Sequence, residues 1–161
     1  MRTLPIKNQE EVNNVIKTCK TCYVAMSEDN QPYVLPMNFA LDGDYIILHS
    51  AQGGRMWETL KKNPRVCINW TLGEDLAWQD VRVGCSYRVK SKSVLVEGPV
   101  EFVNDYEEKY RLLKVFMAQY SDREFKFGRP SVENVGIIRV PMEKVSAKDF
   151  GVNIEIPGKK I

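Results

Sequence analysis

The stretch that decides the fold is YVLPMNFALDGDYIILHSAQGGRMWETLKKNPRVCINW, residues 33–70. Its first half contains two strand patterns, residues 33–41 and 45–50. The segment Asp42-Gly43-Asp44 joins them, and Asp-Gly turns are typical of β-hairpins. The pattern therefore predicts two paired antiparallel strands.

A glycine-bearing loop and a short helix follow this hairpin. Gly53 and Gly54 lead into a helical pattern over residues 54–62, of which Gly54 is the first residue, and Arg55 stands at its start. Free backbone N–H groups and the positive end of the helix dipole favour an anion at such a helix start. This arrangement predicts a phosphate cradle, next to the only histidine of the chain, His49.

Length, charge and hydropathy limit the possible classes of protein. The 161 residues predict one domain over residues 1–150 with a flexible tail at residues 151–161. With 23 basic and 21 acidic residues, the formal charge of +2 argues against nucleic acid or a membrane as the main partner. No apolar run is long enough to span a bilayer, and the start of the chain lacks an apolar signal core, so we expect a cytoplasmic protein.

The four cysteines give a weak signal. Cys19 and Cys22 form a CxxC pair, but no second pair exists, and one histidine does not complete a common zinc set. We expect no metal site, and we interpret the cysteines as structural because free cysteine packs as a small apolar residue.

The rest of the chain is rich in strands. Asn8 caps a helix over residues 8–19, and Asp105 starts another over residues 105–120. Pro36 predicts an edge or a bulge within its strand, and Gly98-Pro99 predicts a bend. Besides the hairpin, strands are predicted at residues 22–26, 65–71, 85–103, 134–140 and 145–151. Because strands mostly follow one another directly, we predict a mainly β fold: a small antiparallel β-barrel of six or seven strands with peripheral helices.

The chain resembles the FMN-binding split-barrel proteins related to pyridoxamine 5'-phosphate oxidase, and within them the nitroimidazole-resistance branch. The similarity extends over roughly residues 5–145. Five motifs carry it in chain order: PMNF at 36–39, YIILHSA at 45–51, GR at 54–55, LKKNPRVC at 60–67 and SVLVEG at 93–98.

The resemblance implies a homodimer with flavin bound at the subunit interface. The cofactor would be FMN, with FAD as an alternative. The implied cofactor-binding residues are Met37, Asn38, Phe39, His49, Ser50, Ala51, Gly54, Arg55, Lys92 and Ser93. The family often has an aromatic residue and an arginine just before its Ser-Val pair. This chain has Ser91 and Lys92 at those positions. Lys92 therefore keeps the positive charge of the arginine, whereas Ser91 does not provide an aromatic ring.

Physical arguments apply to some of these residues individually. Arg55 can form paired, charge-assisted bonds to a phosphate. Asn38 lies in an apolar strand, where a buried amide needs either a flavin edge or a neighbouring strand as its partner. Ser50 could bind phosphate or cap the helix.

His49 is the candidate catalytic residue. Its place matches the histidine that nitroimidazole-resistance proteins keep at the active site, where it would donate a proton or contact the substrate. The aromatic residues Trp70, Trp78 and Phe150 could wall a pocket, but such residues are more often part of a core.

The resemblance implies a flavin-dependent oxidoreductase that takes electrons from a reduced donor and reduces a small molecule such as a nitroimidazole. One alternative is a binding protein without turnover that holds flavin or haem, with His49 as an iron ligand. Another is pyridoxamine 5'-phosphate oxidase activity itself, which is less expected because the C-terminal region lacks the family's arginine and histidine signature.

Overall fold

The computed structural model describes residues 2–152, and most of the predicted tail at 151–161 lies outside this range. Within residues 2–152 there are ten strands and four α-helices. The strands are β1 Arg2–Pro5, β2 Cys22–Glu28, β3 Gln31–Met37, β4 Ala40–Asp42, β5 Tyr45–Ala51, β6 Arg65–Ala77, β7 Arg88–Pro99, β8 Glu101–Val103, β9 Val135–Pro141 and β10 Lys144–Val152. The helices are α1 Gln9–Thr18, α2 Gly54–Lys62, α3 Tyr106–Ala118 and α4 Arg129–Asn134.

The chain clusters into two compact units. Unit 1 comprises residues 1–19, 70–95 and 146–161, and unit 2 comprises residues 20–69 and 96–145. Strands β6 and β7 each contribute residues to both units. The single domain expected over residues 1–150 stays a prediction, which a cooperative unfolding transition would test.

Unit 1 is a sheet in the order β1-β10-β7-β6, together with helix α1. Strand β1 pairs antiparallel with β10, which places Thr3 opposite Phe150. Asn8 caps α1 as predicted: its Oδ1 accepts hydrogen bonds from the N–H groups of Glu10 at 2.8 Å and Glu11 at 3.3 Å. The helix buries one apolar face, formed by Val12, Val15 and Ile16.

Unit 2 contains two groups of antiparallel strands and three helices. Strand β2 pairs with both β3 and β6, and a separate four-stranded sheet has the order β4-β5-β9-β8. Gly43 adopts φ +58° in the turn that joins β4 to β5, where Asp42 pairs with Tyr45. A buried apolar cluster lies against this sheet and includes Ile47, Leu112, Phe116 and Ile137.

The predicted hairpin is only partly correct. Residues 40–42 pair with β5 as expected, but residues 31–37 form β3, which pairs with β2 in a different sheet. The chain leaves the strand conformation at Asn38 and Phe39, so one predicted strand is two. Strand β3 lies at a sheet edge, which confirms the prediction from Pro36.

The number of strands is also larger than the expected six or seven. The predicted strands 33–41 and 85–103 each divide into two, and β1 adds a further short strand. Strands β1, β4 and β8 have only three or four residues, too few for an alternating pattern to mark them. Helices α1, α2 and α3 confirm the predictions, whereas the six-residue α4 was not predicted.

Candidate functional site

The N-terminus of α2 is open and positively polarised. Its N-cap residue, Gly53, has φ +140°, Gly54 has φ +73°, and no side chain caps the helix. A Cβ atom built on either glycine would meet nothing within 4 Å, and the first turn contains no acidic residue. The helix start is therefore uncrowded beside both glycines, and the first N–H groups of a helix, together with its dipole, suit an anion.

Arg55 adds a formal positive charge to this helix start. Its side chain is exposed, and the guanidinium carbon lies 4.3 Å from the centroid of the Tyr33 ring. Within residues 2–152, Arg55 forms no salt bridge. The ring supports the guanidinium by a cation–π contact and leaves its N–H groups available to an anion.

Trp57 fixes α2 to the sheet of unit 2. Its Nε1 donates a hydrogen bond of 2.8 Å to the Oγ of Ser50 in β5. Its ring fills the space beside Gly136 in β9, where an added Cβ would lie only 2.0 Å from Cζ2. The helix start is therefore held at a defined position relative to β5 and β9.

Ser50 has a different local role from the helix cap that was considered. Its Oγ accepts the bond from Trp57 and donates a 3.0 Å bond to the carbonyl of Ala51. A phosphate contact by Ser50 would use its hydroxyl proton in place of the bond to Ala51. Ala51 itself is exposed, so its backbone is accessible.

His49 lies within β5, opposite Ile137 of β9. Its ring packs edge-on against Phe116, with 4.2 Å between the ring centroids. Among residues 2–152, Nδ1 of His49 is buried and has no hydrogen-bond partner. Burial lowers the pKa of His49 below its ordinary value, which favours the neutral imidazole.

Residues 37–39 differ from the sequence interpretation. Met37 and Phe39 are buried, whereas Asn38 is exposed in the break between β3 and β4. The expectation of a buried amide within a strand was therefore wrong. The Asn38 side chain donates a 2.9 Å hydrogen bond to the carbonyl of Lys20, so a neighbouring segment satisfies it.

The backbone of Phe39 is already engaged. Its N–H donates to the hydroxyl of Tyr120 at 3.0 Å, and its carbonyl accepts from Tyr120 at 2.7 Å and from Gln119 at 3.0 Å. Gln119 also accepts from the N–H of Leu41 at 3.0 Å. The end of α3 thus holds the segment between β3 and β4 in place.

Lys92 and Ser93 belong to unit 1, whereas the other candidate residues belong to unit 2. The Nζ of Lys92 lies 2.6 Å from a carboxylate oxygen of Glu11 and 4.0 Å from one of Asp149. The hydrogen bond to Glu11 raises the pKa of Lys92. Its charge is largely compensated within unit 1, and Ser93 is half-buried beside it in β7.

Two residues that sequence reasoning missed shape the helix start. Tyr33 supports Arg55, and Trp57 anchors α2. The apolar face of α2, which includes Met56 and Leu60, was a signal that Trp57 would be buried. No local pattern indicated that Tyr33 of β3 lies beside Arg55, because that contact depends on tertiary packing.

The aromatic residues named in the sequence have separate roles. Trp70 is fully buried, as expected for a core residue. Trp78 is about half exposed and stacks on Tyr87 at 5.3 Å. Phe150 is partly buried and lines a cleft in unit 1.

The cysteines and the other metal-ligating residues do not cluster in the described part of the chain. All four cysteines are free, and within residues 2–152 no three His, Cys, Asp or Glu side chains come together as a metal site would require. The thiols of Cys19 and Cys22 lie near the carbonyls of Thr71 and Met37, at 3.4 and 3.5 Å. Over the same range, no helix has both the length and the apolar character needed to cross a membrane.

Comparison with known proteins identifies the family. A family model described as pyridoxamine 5'-phosphate oxidase matches residues 8–149. The chain therefore belongs to this family, and its fold is of the mainly antiparallel split-barrel class that the sequence predicted. No curated protein matches the chain.

Several solved structures are similar in fold to this chain over most of its length. A candidate 5-nitroimidazole antibiotic resistance protein from Bacteroides thetaiotaomicron is 34% identical, with a TM-score of 0.83 over 92% of this chain and 87% of that one. The flavocytochrome Anf3 from Azotobacter vinelandii is 20% identical, with a TM-score of 0.82 over 94% of this chain and 73% of that one. An FAD- and haem-binding protein from Mycobacterium smegmatis is 15% identical, with a TM-score of 0.83 over 94% and 76%. The last two show likeness of fold alone.

Proposed function

We propose that this protein is an FMN-dependent oxidoreductase whose cofactor phosphate binds at the start of α2. The observation that carries this proposal is the uncapped N-terminus of α2, with Gly53 and Gly54 leaving open space and Arg55 exposed and, among residues 2–152, without a salt bridge. Membership of the pyridoxamine 5'-phosphate oxidase family supports a flavin as the bound group. FAD is the alternative cofactor.

The helix start fits a phosphate on chemical grounds. Backbone N–H groups of the first turn donate to phosphate oxygens, while Arg55 adds charge-assisted bonds. Ala51 and Gly54 offer exposed backbone, and Ser50 offers its hydroxyl proton. Met37, Asn38 and Phe39 remain proposed contacts of the flavin ring, with Lys92 and Ser93 as further proposed contacts. Among the first three, only Asn38 has an exposed side chain.

When bound, FMN supplies the transfer of one or two electrons. The contribution of this chain is to hold and orient the cofactor and to supply a proton near it. We assign the proton donor or substrate contact to His49. Burial lowers the pKa of His49 and so favours the neutral imidazole, which donates a hydrogen bond through one ring nitrogen and accepts one at the other.

We propose a small nitroaromatic compound, such as a nitroimidazole, as the substrate. The 34% identity to the candidate 5-nitroimidazole antibiotic resistance protein supports this choice. Reduction of a nitro group to a nitroso group consumes two electrons and two protons and releases water. The electrons come from an external reduced donor by way of the cofactor.

We also propose a homodimer that binds flavin at the subunit interface. One segment of unit 1 exposes large apolar side chains, which mark interaction surfaces when they cluster. These side chains are Leu76, Trp78, Val81 and Val83. The four free cysteines favour a reducing compartment, so we propose a cytoplasmic protein.

The phosphate cradle is tested by Arg55→Met. We expect this change to weaken FMN binding by roughly 1.5–3 kcal/mol, about 10- to 150-fold in Kd, because a charged hydrogen bond is lost. Lys61→Met is the matched control, because it removes the same charge from an exposed position at the other end of α2. Equal FMN affinity in the wild type and a folded Arg55→Met protein would contradict the assignment.

The substrate is tested separately. The FMN-loaded protein, reduced with dithionite under anaerobic conditions and freed of excess dithionite, is mixed with a nitroimidazole. We expect reoxidation of the flavin together with loss of nitro absorbance. A haem spectrum in the purified protein would instead support the binding-protein alternative, and rapid oxidation of pyridoxamine 5'-phosphate would support the oxidase alternative.

A further inference from the structure

Arg88, at the start of β7 in unit 1, is a half-buried cation that has no counterion among the described residues. Among residues 2–152, its Nε is buried and has no hydrogen-bond partner, and its guanidinium forms no salt bridge. Burying part of a charge without a partner is unfavourable, so such a group indicates a missing anion. This feature has no role in the proposed phosphate cradle, which belongs to unit 2.

A cleft of about 380 Å³ opens beside Arg88. Its lining combines one cation, the two hydroxyl residues Thr3 and Ser91, and the two apolar residues Val89 and Phe150. Among residues 2–152, no carboxylate lines this cleft. The hydroxyl groups can donate to an anion held by Arg88, and the apolar residues can cover a hydrocarbon group attached to it.

Lys90 strengthens the positive character of this region. A Cβ atom built on Gly151 would lie 2.8 Å from Cγ of Lys90 and 3.5 Å from Cδ of Arg88, so both side chains pack over the same glycine. In the described residues, Lys90 also lacks a salt bridge. The nearby acidic groups Glu11 and Asp149 are occupied by Lys92.

A second cavity adjoins the first and limits where an anion can bind. It shares Ser91 and Phe150 with the cleft and is also lined by two carboxylates and two lysines: Asp75, Asp149, Lys90 and Lys92. The two carboxylates offset the two cations, so this second cavity has no excess positive charge to hold an anion. The charges therefore favour anion binding in the cleft beside Arg88 over binding in the second cavity.

We propose that the Arg88 cleft binds a small aromatic acid. The guanidinium of Arg88 pairs with the carboxylate of the ligand, Thr3 and Ser91 donate hydrogen bonds to it, and Phe150 and Val89 pack against its ring. The paired N–H geometry of arginine suits a carboxylate. The site lies within unit 1 and is distinct from the cradle at α2.

The test uses the full chain saturated with FMN and three probes observed by NMR or calorimetry: benzoate, inorganic phosphate and neutral benzamide. We expect benzoate to bind at least tenfold more tightly than benzamide, because only benzoate carries the charge. We also expect benzoate to bind more tightly than phosphate, because only benzoate carries the ring. Equal binding of benzoate and benzamide would overturn the role of Arg88, and equal binding of benzoate and phosphate would overturn the role of the ring.

Arg88→Met should weaken benzoate binding at least tenfold. Arg82→Met is the control because Arg82 lies in the same unit, is largely exposed and already pairs with Asp80 at 3.4 Å. If Arg88→Met does not fold, Phe150→Leu provides the second variant: it should weaken benzoate binding and leave phosphate binding unchanged.

FMN affinity is measured in parallel to keep this proposal separate from the proposed cofactor site. Unchanged FMN affinity in Arg88→Met, with benzoate binding lost, supports an independent site. A parallel loss of FMN and benzoate binding would overturn independence and assign Arg88 to the cofactor site. If the Arg55→Met experiment contradicts the phosphate cradle, the benzoate proposal can still be tested, because the benzoate titration can be repeated without FMN.

Discussion

At the scale of single residues, His49 is the group whose environment has the clearest measurable consequence. Its Nδ1 is buried without a hydrogen-bond partner in the described part of the chain, and burial lowers the pKa of the ring. His49 is the only histidine of the chain, so its imidazole proton signals can be assigned without ambiguity. We predict that NMR titration of the ligand-free protein gives a pKa below the ordinary value of about 6.5. A value at or above 6.5 would contradict the burial of this ring.

The same shift predicts how stability depends on pH. Above the unfolded pKa, His49 is neutral in both states and has no effect. As the pH falls through about 6.5, the unfolded chain takes up the proton first, so the folded state loses stability relative to it. Wild type should therefore lose more unfolding free energy between pH 7.5 and 5 than His49→Gln. Identical pH profiles in urea denaturation would show that His49 titrates equally in both states.

Individual residues also show where sequence reasoning reached its limit. Arg55 at a helix start was predictable from the Gly-Gly segment before it, and its exposure agrees with that prediction. Asn38 was misjudged because the alternation of a strand does not show where the strand stops. Ser50 was assigned as a cap or phosphate ligand, and its bond to Trp57 depends on tertiary packing that the local sequence does not contain.

At the scale of elements, the attachment of α2 depends on the absence of a side chain at Gly136. A methyl group there would lie 2.0 Å from the ring of Trp57. We predict that Gly136→Ala displaces Trp57 and costs about 1–3 kcal/mol of unfolding free energy, as measured by urea denaturation. Gly128→Ala is the control, because its Cβ would meet only Pro130, at 3.9 Å. Equal stabilities of the two variants would mean that Trp57 does not pack as described.

The end of α3 offers a second test at this scale. The Tyr120 hydroxyl bonds both the N–H and the carbonyl of Phe39. We predict that Tyr120→Phe costs about 1–3 kcal/mol, because a partly buried N–H loses its acceptor. Tyr110→Phe, within α3, should cost much less, since its hydroxyl has no hydrogen bond among the described residues. A smaller effect of Tyr120→Phe than of Tyr110→Phe would refute this role.

Helices were easier to predict than strands. The bounds of α2 follow from Gly53-Gly54 at its start and Asn63-Pro64 after it, and the starts of α1 and α3 follow from the caps Asn8 and Asp105. These signals are local in the chain. The partner of a strand is a long-range property, so residues 31–37 could be predicted as a strand but not as the partner of β2.

At the scale of the whole molecule, the exposed apolar segment of unit 1 predicts self-association. We expect the wild type to sediment with twice the mass of the chain. The double change Leu76→Lys and Val81→Lys should shift it to the monomer, because both side chains are largely exposed and apolar. Val34→Lys is the control, with an equally exposed apolar side chain in unit 2. A wild-type monomer that still binds FMN would contradict an interface site.

The fold class was predictable at this scale because short strands in direct succession leave few arrangements other than antiparallel sheets. The family followed from five motifs in order. The number of strands and the cleft beside Arg88 were not predictable: three strands are too short to show a pattern, and the cleft combines residues from β1, β7 and β10.

The central claim is that the chain binds FMN through the start of α2. The most direct measurement is a titration of the flavin-free protein with FMN, followed by absorbance and fluorescence after removal of excess cofactor, for wild type and Arg55→Met. The account predicts a retained two-band flavin spectrum with one FMN per chain in the wild type and weaker retention in the variant. A colourless wild-type protein with no saturable FMN binding would contradict it.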